Sequence, residues 1–306
     1  MNNKNNDIFL NKSILVTGGT GTIGRQIVIQ LLKYHNPKIV KIFARNEYEH
    51  WKLQNYLELC FSNNKFLHII GDIRDKEKLD EALFKTDIVF HCASLKHITY
   101  CEENPDEAIK ANVIGSLNLA NLAIKNNVEK VIGISTDKAV EPTTLMGITK
   151  LLMERYLIKK KNSNTIFSII RLGNVLNSRG SVIQKWQKQI ENNKNITITD
   201  RRMKRFFLNI ENVAKLIIKS VYMMKGEEIF VLKMPEISIL DLAKETIKKY
   251  SFQKKIKIKL IGLREREKIK EKLFTEEEKK LMYETNNFFI ILPNKKIYEE
   301  RKGFYL

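Results

Sequence analysis

The chain is poor in residues that punctuate or cross-link a structure. Among 306 residues there are 3 cysteines, 5 prolines and 13 glycines. Cys60, Cys92 and Cys101 fit neither a CxxC zinc spacing nor a disulfide framework, so each reads as a small buried thiol. The 5 histidines form no HxH or HxxxH grouping, and no metal is expected. No apolar run reaches the roughly 18 residues that a membrane-spanning helix needs. The opening "MNNKNNDIFLN" lacks the apolar block of a secretory leader. These absences point to a soluble, cytoplasmic protein without membrane insertion.

Negative charge is scarce as well. Against 54 lysines and arginines stand 35 acids, a formal net charge of +19. The lysines are scattered, with local clusters at 159–161 and 254–259, and no nucleic-acid-binding motif accompanies them. The excess is read as a compositional bias, with no nucleic-acid partner, that still favours an anionic ligand. Hydrophobic residues make up 43%. That content and length suit one large α/β domain, or a nucleotide-binding domain with a smaller appendix.

What is present begins with a phosphate cradle. "SILVTGGTGTIGRQIVIQLLKYH" runs from a short apolar strand through glycines into an apolar-periodic helix. Gly18 permits the tight turn, Gly21 lets backbone N–H groups approach a pyrophosphate, and Gly24 lets the helix lie close to the strand. Thr20, Thr22 and Ile23 complete the loop, and the helix N-terminus faces the anion. The next strand ends at Arg45, where an NAD site usually places an acid. A guanidinium there suits a 2′-phosphate, which favours NADP. "FLHIIGDIRD" and "TDIVFHCASLKH" supply two more strands. Asp72 and Ile73 fall where a loop would meet the adenine, and Ala93 and Ser94 where one would pass the nicotinamide half. Asp106 to about Lys125 reads as one long amphipathic helix, with Asn112 as a packed polar residue satisfying backbone groups. The rhythm of strand and helix predicts a Rossmann-type, doubly wound parallel sheet.

"KVIGIST" is a further strand, and chemistry in such sheets gathers at carboxyl ends. Thr136, Asp137 and Lys138 sit at this one, with Lys150 on the helix that opens near Gly147. Active sites of this kind usually carry a tyrosine one helical turn before the lysine, but Met146 stands there and has no ionisable proton.

Here the chain resembles the extended short-chain dehydrogenase/reductase superfamily, and within it the inverting UDP-N-acetylglucosamine 4,6-dehydratases. The resemblance rests on "TGGTGTIG", "GDIRD", "LKH", "ENP", "STDKAVEPTTLMGITK", "RLGNVLNSRGSV", "ITDRRMKRF", "GEEIFV" and "GLREREKIKE", in that family's order. It covers about residues 10 to 293. Lys138, where retaining dehydratases have Glu, selects the inverting branch. Some members carry Met in place of the tyrosine, so Met146 does not by itself mark an inactive enzyme. The resemblance implies a nucleotide-sugar substrate, an internal redox reaction that loses water and inverts C5, and a homo-oligomer. In that scheme Lys138 is the candidate base at C5 and must be able to shed its proton. Asp137 is the candidate acid for the C6 oxygen. Thr136 would bond the C4 hydroxyl, and Lys150 would hold the nicotinamide ribose. Either Asp137 or a bound water takes the C4 proton.

The second half is expected to grip the substrate. Lys96 and His97 shape the active-site loop. Asn174, Arg179 and Ser181 line a loop that enters a helix, with Arg179 able to reach a phosphate. Arg201, Arg202, Lys204 and Arg205 form a basic loop, in which Arg205 is the candidate for a diphosphate because Phe206 and Phe207 anchor it. The family's Arg-Pro-Gly-Glu-Lys reads Arg264-Glu265-Arg266-Glu267-Lys268 here, which alters the turn and weakens the case for Arg264; Glu267 keeps its place. The expected division is a dinucleotide-binding unit over 1–173, with 203–222 returning to it, and a smaller, mainly substrate-binding unit over 174–306. Rival readings are a nucleotide-sugar 4-epimerase, the same dehydration on a GDP-linked N-acetylhexosamine, and a non-catalytic NADP-sensing protein.

Overall fold

In the computed structural model the first apolar runs become parallel strands, each followed by a helix that crosses back over the sheet. The structure describes residues 7–160, 162, 164–251, 255–301 and 303–305. Residues 1–6 of the polar opening lie outside these, as do Lys161 and Lys254 of the lysine clusters.

The first half contains β1 (Ser13–Thr17), α1 (Thr22–Tyr34), β2 (Ile39–Ala44), α2 (Glu47–Cys60), β3 (Phe66–Ile70), α3 (Lys76–Leu83) and β4 (Ile88–His91). Then come α4 (Ile98–Glu103), α5 (Pro105–Ile109), α6 (Gly115–Lys125), β5 (Lys130–Thr136), α7 (Leu145–Lys159), β6 (Ile166–Leu172) and β7 (Asn174–Val175). The second half holds α8 (Val182–Glu191), β8 (Ile196–Ile198), β9 (Lys204–Leu208), α9 (Ile210–Met223), β10 (Ile229–Leu232), β11 (Glu236–Ser238) and α10 (Ile239–Tyr250). It closes with β12 (Ile258–Leu260), α11 (Glu276–Lys279), β13 (Met282–Glu284), β14 (Phe288–Ile291) and α12 (Lys295–Glu300).

The large sheet has nine strands in the order β13-β14-β10-β6-β5-β4-β1-β2-β3. From β3 to β10 every neighbour is parallel; β14 runs antiparallel to β10. Val16 lies opposite Ile42 on one side and Phe90 on the other. β1 is buried along its whole length, which is why its sequence is a continuous apolar run rather than an alternating one. Strand order reverses between β1 and β4, and that crevice is where such sheets bind ligands. One face of the sheet packs under α1 and α9, through Ile27, Leu31, Ile217 and Val221. The other packs under α3, α6 and α7, through Leu79, Leu119, Met153 and Leu157.

A smaller body has its own core. α8 and α10 close over two small sheets, β11-β9-β7 and β12-β8. Trp186 is fully buried among Ile190, Ile196, Met203, Phe207 and Leu242, and its indole N–H donates to the Thr197 carbonyl at 2.8 Å. Between visits to this body the chain returns to the large sheet. α9 packs on α1, while β9, earlier in the 203–222 range, stays in the smaller body, and β10, β13 and β14 then extend the sheet edge.

Three local expectations change. The helix expected from Asp106 to Lys125 starts at Pro105 and is interrupted by a π-helical turn over Lys110–Ile114. Cys60 is exposed, because α2 ends there and Phe61 turns inward to the core instead. The expected basic loop is in part a strand: Lys204 and Arg205 open β9, and Arg202 folds back onto Asp200 at 2.8 Å.

Candidate active site

The cradle forms where β1 meets α1. Gly18 sits at φ +64, and a Cβ there would stand 2.8 Å from the Ala93 nitrogen. At Gly24 a Cβ would stand 2.4 Å from the Gly18 oxygen. The turn therefore exists only without side chains, and it brings the ends of β1 and β4 together. α1 has no side-chain cap and no acid in its first turn. By contrast α2, α3, α7, α9 and α10 are capped by Asn46, Asp75, Thr144, Asn209 and Ser238. An uncapped, glycine-lined helix start at the switch point fits a dinucleotide pyrophosphate. Thr20 and Thr22 are already engaged: Arg179 donates to the Thr20 carbonyl at 2.7 Å, and its backbone N–H to the Thr22 hydroxyl at 3.2 Å. Arg179 also pairs with Glu49 at 2.7 Å. It lies over the cofactor loop, not in the substrate cleft where it was expected.

Arg45 is exposed, 3.4 Å from Asp72. The Asp72 carboxylate is gripped by Arg74 at 2.7 and 2.9 Å. Burial pushes this carboxyl up, but the Arg74 hydrogen bonds and charge outweigh it and hold it below the usual range. Ile73 is buried against Gly115 of α6. Ser94 is half-buried beside Ala93, at the other end of the crevice.

The reactive groups cluster at the end of β5. Thr136 is its last residue, and Asp137–Ala139 make a single 3-10 turn. The Thr136 hydroxyl donates to Asp137 Oδ1 at 2.9 Å. Lys138 Nζ donates to the same oxygen at 2.9 Å and to Asn174 Oδ1 at 3.2 Å. Asp137 is 0% exposed, and its Oδ2 has no partner. A buried carboxylate oxygen without a donor is costly unless a ligand supplies one. α7 packs tightly under this turn: a Cβ on Gly147 would stand 2.3 Å from the Lys138 carbonyl. Lys150 is buried, donates to the Ile134 carbonyl at 2.8 Å, and is pushed down to about 8 by burial. Met146 is 3% exposed and packs with Cys101, Ala108, Leu95 and Ile98. The tyrosine position of other sites is here an apolar plug.

A loop from the smaller body covers the cluster. Lys268 Nζ donates to the Val140 and Glu141 carbonyls at 2.9 and 2.5 Å. The Thr143 hydroxyl donates to the Arg266 carbonyl at 2.9 Å. The Arg205 guanidinium donates to the carbonyls of Lys204, Lys268 and Ile269 at 2.6 to 2.8 Å. Arg205 thus ties this loop down through Nη1 and Nη2 while its side chain lines the cavity beside Lys138. Arg264 is exposed at the start of a turn capped by Glu267, and Arg266 holds φ +60 where the family has glycine. Lys96 Nζ donates to the Arg179 carbonyl at 2.8 Å. Gly180, at φ +70, lets the chain approach the His97 ring. Ser181 precedes α8, with its hydroxyl buried and unpartnered.

The cavity beside Lys138 measures about 100 Å³ and is lined by Thr143, Asn174, Arg205, Arg266 and Glu271 among others. A larger one of about 520 Å³ lies at the far ends of α1 and α2, lined by Leu32, Pro37 and Phe61. It adjoins neither the glycine loop nor the reactive cluster, so the arrangement of groups, not cavity size, locates the site. The structure therefore brings together Thr136, Asp137, Lys138 and Asn174, sets Arg205 and Glu267 beside them around the smaller cavity, and places Arg179 over the glycine loop instead. It adds Glu271, which the sequence reading missed. Glu271 ends the GLREREKIKE segment, which gives it no role by itself, and only folding brings it 3.9 Å from Lys138.

The fold and site together define a dinucleotide-binding α/β protein of the short-chain dehydrogenase/reductase type, with a second body covering the reactive strand end. The chain belongs to the polysaccharide biosynthesis protein family, whose model matches residues 14–293. It is 43% identical over 98% of its length to a Methanocaldococcus jannaschii protein named as an uncharacterized membrane protein, covering 94% of it. It is 35% identical to an inverting UDP-N-acetylglucosamine 4,6-dehydratase of Campylobacter jejuni, over 97% of this chain and 87% of that one. A UDP-glucose 4-epimerase of Rickettsia bellii is 38% identical, over 93% and 84%. Among solved structures, Pen from Bacillus thuringiensis superposes with a TM-score of 0.89 at 39% identity, over 94% and 89%. No helix among the described residues is long and apolar enough to cross a membrane.

Proposed function

We propose that this chain is an NADP-dependent nucleotide-sugar 4,6-dehydratase that acts on UDP-N-acetylglucosamine and inverts C5, for surface glycan synthesis. The observation that carries the reading is the ring of bonds at the end of β5: Thr136 and Lys138 both donate to buried Asp137, and Lys138 also to Asn174. Acid and base on neighbouring atoms are what eliminating water across C5 and C6 requires. A bound nicotinamide would supply the oxidation at C4 and the later reduction at C6. Lys138 takes the C5 proton. Asp137 protonates the departing C6 hydroxyl through the oxygen that lacks a partner. Thr136 orients the C4 hydroxyl, and Lys150 places positive charge under it. With Met146 inert, Asp137 or a water beside it receives the C4 proton. Arg45 grips the 2′-phosphate of NADP, and Arg179 closes the pyrophosphate loop. The smaller body, drawn from the part of the chain after residue 174, holds the nucleotide sugar, the protein works in the cytoplasm, and it assembles as a homo-oligomer.

The test is incubation with UDP-N-acetylglucosamine in deuterated water, followed by NMR. The expected product is a 4-keto-6-deoxy sugar with deuterium at C5. Lys138→Ala should abolish deuterium entry, and Asp137→Asn should block water loss. Recovery of a C4 epimer with its C6 hydroxyl intact would instead establish the epimerase reading. That second reading is favoured by the likeness to the Rickettsia bellii protein. Parallel incubation with the GDP-linked sugar decides the nucleotide.

A further inference from the structure

Glu271 is the group in the cluster to which the scheme above gives no task. Its loop carries it in from the smaller body, facing β5. Its side chain is 6% exposed, with Oε1 3.9 Å from Lys138 Nζ and Oε2 3.9 Å from Lys268 Nζ. Oε2 has no hydrogen-bond partner. The charged groups facing it are Asp137, Lys138, Arg205 and Lys268, with Arg266 and Glu267 at the cavity rim. Arg205 and Lys268 donate to backbone carbonyls instead. Burial pushes the Glu271 carboxyl up, more than the neighbouring Lys138 pulls it down.

A lysine can act as a base only as the neutral amine, so the proton of Lys138, whose Nζ lies 2.9 Å from Asp137 Oδ1 and 3.9 Å from Glu271 Oε1, needs an acceptor. Asp137 is committed elsewhere, since its Oδ1 takes two donors and its proton leaves with the C6 hydroxyl. We propose that Glu271 is a positioning residue for Lys138, taking the ammonium proton so that the amine is free when the C5 hydrogen must be removed. An N–H bond of Lys138 breaks, its electron pair stays on nitrogen, and an O–H bond forms on Glu271. The pair has zero net charge before and after, and burial favours its uncharged form. The present gap is longer than a hydrogen bond, and the lysine stem closes it by moving about 1 Å. The amine then takes the C5 proton while Asp137 gives its own to the leaving oxygen. This role rests on the dehydratase reading, but the shared proton can be measured without it.

A pair that shares one proton holds a constant fraction of free amine between its two titrations, whereas a lone amine gains about tenfold per pH unit until it titrates. Trace acetylation of Lys138, read by mass spectrometry with NADP bound and no sugar, separates the two. The wild type should give a flat profile through the neutral range, and Glu271→Gln a slope of one. In deuterated water with UDP-N-acetylglucosamine, Glu271→Gln should slow C5 exchange about 100-fold at neutral pH and recover toward alkaline pH. Added formate should restore part of that loss to Glu271→Ala. Superposable acetylation profiles overturn the proposal, whatever the turnover. Distinct profiles in a protein that never exchanges C5 overturn the dehydratase reading and leave the pair standing.

Discussion

At the residue scale the site has an apolar side chain where an ionisable one was expected. Met146 is enclosed by Cys101, Ala108, Leu95 and Ile98, so it contributes packing and no proton. Met146→Leu should leave turnover within a few-fold and cost less than about 1.5 kcal/mol in urea unfolding, as volume-conserving swaps do. A loss comparable to that expected of Lys138→Ala would mean that the thioether has a role beyond packing. The position of Arg45 follows from the strand end alone, and its proposed role is to hold a 2′-phosphate. Its removal should weaken NADP binding about 10- to 100-fold and leave NAD affinity unchanged, measured by calorimetry on Arg45→Ala. The role of Glu271 was not legible: it ends the GLREREKIKE segment, but its meaning comes from a partner far away in the chain.

At the element scale, two helices are tied to the sheet by polar groups that the sequence shows only as hydrophilic letters. Asn112 lies in the π-helical turn, accepts from the Leu95 N–H at 2.7 Å, and donates to the Leu95 carbonyl and the Thr149 hydroxyl at 3.0 Å. The extra residue of that turn aims it at the loop carrying Lys96 and His97. Asn112→Ala should cost about 2–4 kcal/mol in urea unfolding, because it strands two buried backbone groups. Its packed role was expected from its apolar neighbours, but the π turn was not, since one inserted residue barely disturbs a helical pattern. The second tie is Arg171 on β6, 1% exposed, which pairs with Glu154 of α7 at 2.7 Å and Glu278 of α11 at 3.0 Å. Arg171→Met should cost about 3–5 kcal/mol, because it leaves Glu154 buried without a partner. Burial pushes the Glu278 carboxyl up, but the Arg171 hydrogen bond and charge outweigh it and hold it below its ordinary value. Its stabilising contribution is therefore complete above the unfolded glutamate value of about 4.3 and fades as pH falls through the lower folded one. Stability of Glu278→Gln should depend less on pH across that acid window than the wild type's.

At the scale of the whole molecule, the surplus of 54 basic over 35 acidic residues gives a net positive charge that favours anionic ligands. If the ligand is a nucleotide diphosphate sugar, its KM should rise several-fold between low and physiological salt, with kcat unchanged, because screening weakens capture and not the buried chemistry. The sequence by itself determined the parallel sheet, the phosphate cradle and the Thr136-Asp137-Lys138 strand end. Each of these is local: hydrophobic period, glycines at a turn and adjacent residues at a carboxyl terminus are written in consecutive letters. Only the tertiary structure decided where the cations went. Arg179 moved to the glycine loop and Arg205 to backbone carbonyls, because a guanidinium is placed by whichever acceptors folding leaves unsatisfied. It also decided that Glu271 would face Lys138, since joining a loop of one body to a strand end of the other is a contact no local pattern encodes.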